Sequence, residues 1–111
     1  QHIKLITAGR EATLFLGVEK IDLQAEGIPV KVFNGDGSIE IAKNGAITMD
    51  SKNSITIKAA QDVKIEGANV SIKANAAAKV EGVTVDVKAS AKGSFDGGGM
   101  AEVKGGMVKI N

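Results

Sequence analysis

The sequence predicts an all-β fold in which very short strands are stacked and joined by corners, a β-solenoid or β-prism. Three features indicate this fold. The 111 residues include no Trp, no Tyr and only three Phe, so the apolar content consists mainly of Ile, Val and Ala. Fourteen Gly and a single Pro are typical of tight turns between β-branched strands. An apolar–polar–apolar triplet also recurs along most of the chain.

These triplets, which we call rungs, follow one another at a nearly fixed interval from Ile39 onward. In an extended chain successive side chains point to opposite faces, so each rung would bury two residues and expose one. A helix would instead require apolar residues at a period of about 3.6, and these residues do not have it. The ten regular rungs are 39–41, 47–49, 55–57, 63–65, 70–72, 78–80, 85–87, 93–95, 101–103 and 108–110.

Turn-forming residues separate the rungs, and Gly and Asn among them tolerate the positive φ that a corner can require. We therefore expect a single β-helical domain over residues 1–111, with irregular leading rungs in 1–38 and regular repeats of seven or eight residues in 39–111. The candidate leading rungs, which are unevenly spaced, are 3–5, 14–16, 21–23 and 30–32.

Periodicity alone does not decide between a single-chain β-helix and an assembly of several copies, because three faces of seven or eight residues would complete a coil in either. A closed homotrimer is favoured for two reasons. The aliphatic side chains of one coil provide less free energy than the ordering of its backbone requires. A lone solenoid also exposes strand edges and needs polar caps, whereas a rung here immediately precedes Asn111.

The composition disfavours several classes of function. Fourteen basic and thirteen acidic residues leave a net charge of +1, which argues against binding to nucleic acid or to an anionic membrane surface. Without cysteine there is no disulfide framework and no thiolate metal site. The carboxylates form no cluster, there is no G-x-S-x-G motif, and no Trp or Tyr could stack on a sugar. We therefore expect a protein that is not an enzyme, with no catalytic residues and no cofactor.

Three patterns could suggest a metal site. His2, the single histidine, is interpreted as an exposed residue near one end of the chain. Residues 34–38, N-G-D-G-S, resemble the start of a calcium loop, but an EF-hand requires Gly and Glu where Ile39 and Gly45 stand. Residues 94–99 likewise fail to match the calcium-binding nonapeptide repeat. We predict no metal site and interpret the latter two segments as corners.

The closing residues 97–111, G-G-G-M-A-E-V-K-G-G-M-V-K-I-N, resemble the end of VgrG proteins, the spikes of bacterial type VI secretion systems. The rungs of 39–111 are similar to the C-terminal needle of that family, which is itself similar to the cell-puncturing needle of contractile-tail bacteriophages. The opening Q-H-I-K-L at 1–5 and G-R-E-A-T-L-F-L at 9–16 fit the region that leads into the needle. The resemblance covers most of the chain, and the C-terminal signature is its most specific part.

The resemblance implies an intertwined triple-stranded β-helix (β-prism) formed by a homotrimer, with apolar side chains meeting on the axis. It implies a structural, membrane-piercing spike, assembled in the cytoplasm of Gram-negative bacteria and secreted through the type VI apparatus. The tip of the needle would bind a PAAR-repeat protein and associated effectors. The residues expected to form or support this tip are Gly105, Gly106, Met107, Val108, Lys109, Ile110 and Asn111.

Two other functions stay open. A glycan-binding or glycan-cleaving β-helix, as in phage tailspikes, would need an aromatic-lined groove, for which the sequence has few residues. An adhesin stalk or passenger fragment would be a monomeric solenoid, and the mass of the particle in solution would distinguish it from a trimer.

Overall fold

The computed structural model describes residues 2–7 and 10–111, with side chains from residue 12 onward. Within these residues the regular secondary structure consists of strands and includes no helix, which confirms the predicted all-β class. The chain divides into two compact units, residues 1–65 and 66–111. The six strands are β1 (His2–Thr7), β2 (Arg10–Leu16), β3 (Ile21–Ala25), β4 (Val30–Phe33), β5 (Gly37–Ile41) and β6 (Ile47–Ser51).

The first three strands form an antiparallel sheet in the order β1-β2-β3. A short turn joins β2 to β3, and the Gly17 N–H donates a hydrogen bond of 2.8 Å to the Lys20 carbonyl. The register places Leu14 directly opposite Leu23. Since side chains alternate between the faces of a strand, one face of this sheet is aliphatic over the described side chains of β2 and β3.

The second antiparallel sheet has the order β4-β5-β6, and the Asn34 side chain closes its first turn. The Asn34 Oδ1 accepts hydrogen bonds from the N–H groups of Asp36 and Gly37, each at 3.0 Å. Gly35 has a φ of 99°, a conformation that glycine adopts readily and other residues rarely do. The predicted corner at 34–38 is therefore confirmed as a turn, and it takes the form of a hairpin.

Residues 42–46 join β5 to β6, and Ala42 and Ala46 close a three-residue loop. The Ala42 N–H donates to the Ala46 carbonyl at 2.8 Å, and the Gly45 N–H donates to the Ala42 carbonyl at 2.9 Å. Gly45 has a φ of 90°, and the Asn44 Oδ1 accepts a further hydrogen bond from the Ala46 N–H at 3.1 Å. A loop of this length with glycine in the left-handed region reverses the chain and leaves the flanking strands paired.

The register gives the second sheet one aliphatic face and one mostly polar face. Val32, Ile39 and Met49 lie side by side across the three strands on the aliphatic face, and they are 66%, 49% and 52% exposed. Among all the side chains that the structure describes, no apolar one is buried. The residues that lie side by side in the same way on the polar face are Lys31, Glu40 and Thr48.

From residue 52 onward the backbone bends after every seven or eight residues. Each bend falls between two rungs, so the predicted corners are confirmed over this part of the chain. The regular spacing follows from the sequence, because turn-forming residues recur at the same interval as the aliphatic pairs. The bends lie at residues 52–53, 60–61, 68–69, 75–76, 83–84, 90–91, 98–99 and 106–107.

The first two regular rungs differ from the sequence-based expectation in how they pair. Rungs 39–41 and 47–49 lie in β5 and β6, which are antiparallel neighbours within one chain. The physical reason is the loop at Gly45, which reverses the chain instead of bending it through a shallow corner. The leading rungs before residue 38 also lie in antiparallel strands.

The eight rungs between residues 55 and 110 have no strand partner among the described residues of the same chain. Among residues 53–111, all of which the structure describes, one main-chain hydrogen bond is formed, from the Met100 N–H to the Gly97 carbonyl at 3.2 Å. The described residues of a single chain therefore form no closed β-helix.

Candidate functional site

The two apolar side chains of a rung differ consistently in exposure. Where a rung between residues 55 and 110 begins with Ile or Val, that first side chain is 50–54% exposed. The last side chain of each of the eight rungs is 68–94% exposed. The first side chain of a rung is therefore more covered than the last. These last residues are Ile57, Ile65, Ile72, Val80, Val87, Phe95, Val103 and Ile110.

Three corners share one local packing arrangement, in which a glycine lies three residues before a valine that begins a rung. A Cβ added to Gly67, Gly82 or Gly105 would meet the carbonyl oxygen two residues later at 3.0–3.2 Å. It would also meet the Cγ2 methyl of the valine three residues later at 3.7 Å in each case. The close carbonyl oxygen thus favours glycine at these corners, and the valine methyl lies at van der Waals distance from the corner. The three valines are Val70, Val85 and Val108.

The sequence contains a signal for this arrangement that residue-type reasoning missed. After residue 52 the pattern G-x-x-V occurs as G-A-N-V at 67–70, G-V-T-V at 82–85 and G-G-M-V at 105–108, and it occurs once earlier as G-I-P-V at 27–30. Gly and Asn content predicts the corners but does not include the fixed distance between glycine and valine. At that distance the valine that begins the rung lies against the corner.

The corner at residues 96–99 is built differently. The Asp96 Oδ1 accepts a hydrogen bond of 2.8 Å from the Gly98 N–H, and Gly98 has a φ of 64°. A Cβ on Gly97 would overlap the carbonyl group of Met100 and the Cβ of Ala101, so only glycine fits there. The predicted corner within residues 94–99 is confirmed as a turn closed by its own side chain and backbone.

The predicted tip residues 105–111 are all exposed, and they consist of one corner followed by one rung. The structure brings Gly105 and Val108 together, in the same arrangement as at the two earlier corners. Val108 is 50% exposed and Ile110 is 89% exposed, which matches the pattern of the preceding rungs. The last rung therefore has the local geometry of an internal rung. Its binding to a cap stays a prediction.

Polar and charged side chains surround the aliphatic ones and are largely exposed. The Lys104 Nζ lies 2.8 Å from the Glu102 Oε1, with side chains 84% and 54% exposed. An exposed ion pair of this kind contributes about 0–1 kcal/mol to stability, so it does not hold the rung in place. In the part of the chain that the structure describes, no group of three or more His, Cys, Asp or Glu residues could hold a metal ion. His2 lies in β1, and its side chain is outside the described residues.

A groove on the first unit was not anticipated from the sequence. It has a volume of about 440 Å³, and Val32, Phe33, Ile39, Met49 and Ile55 contribute its apolar lining. Three of these residues belong to the aliphatic face of the β4-β5-β6 sheet, whereas Ile55 begins the first bent rung. The hairpin signals N-G at 34–35 and 44–45 could have predicted this sheet, because they are typical of chain reversal.

The described surfaces are suited to assembly. Extended rungs offer main-chain donors and acceptors, and their last side chains offer exposed aliphatic groups. No helix in the described part of the chain is long and apolar enough to cross a bilayer. No protein-family model, curated protein or solved structure matches the chain.

Proposed function

We propose that this chain is the needle of a type VI secretion spike, a structural protein that works as a homotrimer. Three chains would wind around one axis as an intertwined triple-stranded β-helix and present their C-terminal ends to a PAAR-type cap. One observation carries the proposal. Residues 53–111 are bent at regular intervals, have a single main-chain hydrogen bond of their own, and leave the last side chain of every rung exposed.

Main-chain hydrogen bonding supports several copies over one. Each residue fixed in an extended conformation costs about 1–2 kcal/mol of conformational entropy, and strands recover this cost through ladder hydrogen bonds and packing. A monomeric solenoid would form those ladders between its own coils. In residues 53–111 the chain forms none, so ladders between chains are the arrangement that supplies both hydrogen bonds and burial.

The distribution of apolar groups supports an intertwined trimer. In such an assembly the strongly exposed last side chains, such as Ile72 and Val87, would meet their counterparts around the axis. The polar middle residues, such as Lys64 and Asp86, would face solvent. This exterior differs from that of a membrane barrel, which needs an apolar outer band. A hydrophilic rod without lateral strand edges is suited to being driven through a membrane by force.

The cap would bind at residues 105–111. Because the corner at Gly105 packs like the corners at Gly67 and Gly82, rung 108–110 would be an ordinary rung whose outward main-chain groups could pair with the cap. Val108 and Ile110 would close the axis, and Lys109 and Asn111 would be available to the cap. Such a spike would be assembled in a Gram-negative cell and delivered by the type VI apparatus together with its cap and effectors.

The test measures the mass of the particle in solution and its binding to the cap protein. The full chain should sediment as a trimer and bind a purified PAAR-repeat protein. Deletion of residues 105–111 should abolish cap binding while leaving the trimer intact, and the matched control Lys88→Ala, an exposed change outside the tip, should bind normally. A trimer that binds the cap equally well without residues 105–111 would refute the tip assignment. A monomeric full chain would refute the assembly.

A further inference from the structure

The aliphatic face of the β4-β5-β6 sheet is continuous with the first bent rung. The groove that Val32, Ile39 and Met49 line on the sheet is also lined by Ile55. Ile55 begins the rung that follows the last hairpin strand by only a few residues. A chain that covers this rung therefore reaches the face of the sheet as well.

The rungs from residue 55 onward contain little information about register. Their starts are separated by seven or eight residues throughout, and most of their apolar positions hold Ile or Val. If one chain slid along its neighbours by two rungs, which is 15 or 16 residues throughout, most aliphatic residues would again meet aliphatic residues and corners would meet corners. A repetitive strand pattern specifies register weakly, and a unique buried pattern specifies it strongly.

The β4-β5-β6 sheet is such a unique element. Its hydrogen bonds form within one chain, and its two turns differ, one closed by the Asn34 side chain and the other by the Gly45 loop. Hairpins with local contacts form in about 1–10 μs, so this sheet can exist before chains meet. It also occurs once per chain, whereas the bent rung occurs eight times between residues 55 and 110.

Building on the trimeric needle proposed above, we propose that this aliphatic face is a register-setting interface. It packs against the same face of the other two copies and thereby determines which rungs of the three chains lie at the same height along the axis. We call the trimer level when identical rungs lie at the same height. The occupant of the groove is a second copy of this chain, because the copies that cover Ile55 carry their own sheets with them. Tethering through the rungs gives those sheets a high effective concentration at the groove.

The experiment uses two full-length variants, Ile72→Cys and Val87→Cys, in a chain that has no native cysteine. In a level trimer these positions are two rungs apart, roughly 10 Å at about 4.8 Å per rung. A disulfide requires a Cβ–Cβ distance of about 3.5–4.5 Å, so level chains form only like-with-like crosslinks. The two variants, one isotopically labelled, are unfolded, mixed, refolded and oxidised, and mixed crosslinks are counted by mass spectrometry.

Combining each cysteine with Val32→Thr, Ile39→Thr and Met49→Thr removes the aliphatic face, while Thr keeps a high strand propensity. Mixed crosslinks should then rise roughly tenfold, equivalent to about 1.4 kcal/mol of lost register preference. The matched control changes Lys31 and Glu40 of the opposite face to Thr and should leave mixed crosslinks rare. The single variant Ile39→Thr should give a smaller rise, and it decides the question if the triple variant does not assemble.

An assembled sheet variant with mixed crosslinks as rare as in the parent would overturn the register-setting interface and leave the trimer in place. A parent chain that sediments as a monomer would instead overturn the trimeric needle. One set of samples therefore distinguishes failure of the register-setting interface from failure of the trimeric needle.

Discussion

Met100 and Gly97 approach each other in two ways at a single corner. The Met100 N–H donates a hydrogen bond of 3.2 Å to the Gly97 carbonyl, and the Met100 carbonyl lies where a Cβ on Gly97 would stand. The Cβ of Ala101 crowds the same position. No side chain larger than hydrogen fits at residue 97 without moving the backbone.

Gly97→Ala should therefore destabilise the protein by about 1–3 kcal/mol, because the new methyl group overlaps backbone atoms that cannot rotate away. The matched control is Gly99→Ala, two residues later, where an added Cβ would meet nothing within 4 Å. That variant should leave the thermal midpoint unchanged or raise it slightly. Equal midpoints for the two variants would contradict the corner geometry.

Val87→Thr distinguishes the single chain from the assembly. Val87 is 94% exposed in one chain, and a surface change of this kind alters stability by about 0.5 kcal/mol at most. In an intertwined trimer the hydroxyl group would be buried among aliphatic side chains, which costs about 1–3 kcal/mol. We expect a clearly lower thermal midpoint for Val87→Thr and little change for the control Asp86→Thr on the same rung. If both variants have the same thermal midpoint as the parent, Val87 is not at an interface.

The dimensions of the particle provide a third check. Eight bent rungs that each climb one strand spacing span roughly 38 Å at about 4.8 Å per rung. Solution scattering should therefore show a trimeric rod with at least this long dimension. Its thermal midpoint should rise with protein concentration, because folding and association are linked. A concentration-independent midpoint together with a compact monomeric mass would exclude this assembly.

Asn34→Ala should weaken the β4-β5 hairpin by about 1–2 kcal/mol, because it removes the oxygen that accepts hydrogen bonds from Asp36 and Gly37. Asn34→Asp keeps an acceptor at the same position and should preserve most of the stability. Hydrogen exchange of the Gly37 amide would report the difference locally. Similar exchange rates in both variants would show that the turn is held by its backbone and not by this side chain.

The sequence predicted the all-β class and the position of each corner from residue 52 onward, because both depend on local residue type. It did not predict which strands pair. K-N-G-A at 43–46 and E-G-A-N at 66–69 have similar compositions, yet Gly45 reverses the chain with a φ of 90° and the second segment only bends it. Asn-Gly is the stronger hairpin signal, and that distinction was available in the sequence.

The candidate assembly surface was predictable only in part. Alternation identifies Val85 and Val87 equally as apolar members of one rung. The structure separates them, because Val85 lies against the corner at Gly82 and Val87 is more exposed than Val85. This difference depends on the direction in which a corner turns, which residue type alone does not specify.

The matching corners at Gly82 and Gly105 have a consequence for how such proteins can vary in size. Between these glycines lie three consecutive rungs, 85–87, 93–95 and 101–103, enough for one complete circuit of a three-sided shaft. Duplicating residues 82–104 would join two compatible corners and lengthen the proposed shaft by roughly 14 Å, at about 4.8 Å per rung. Evolution or an engineer could thus extend the shaft in whole circuits while its cross-section and its two ends stay the same.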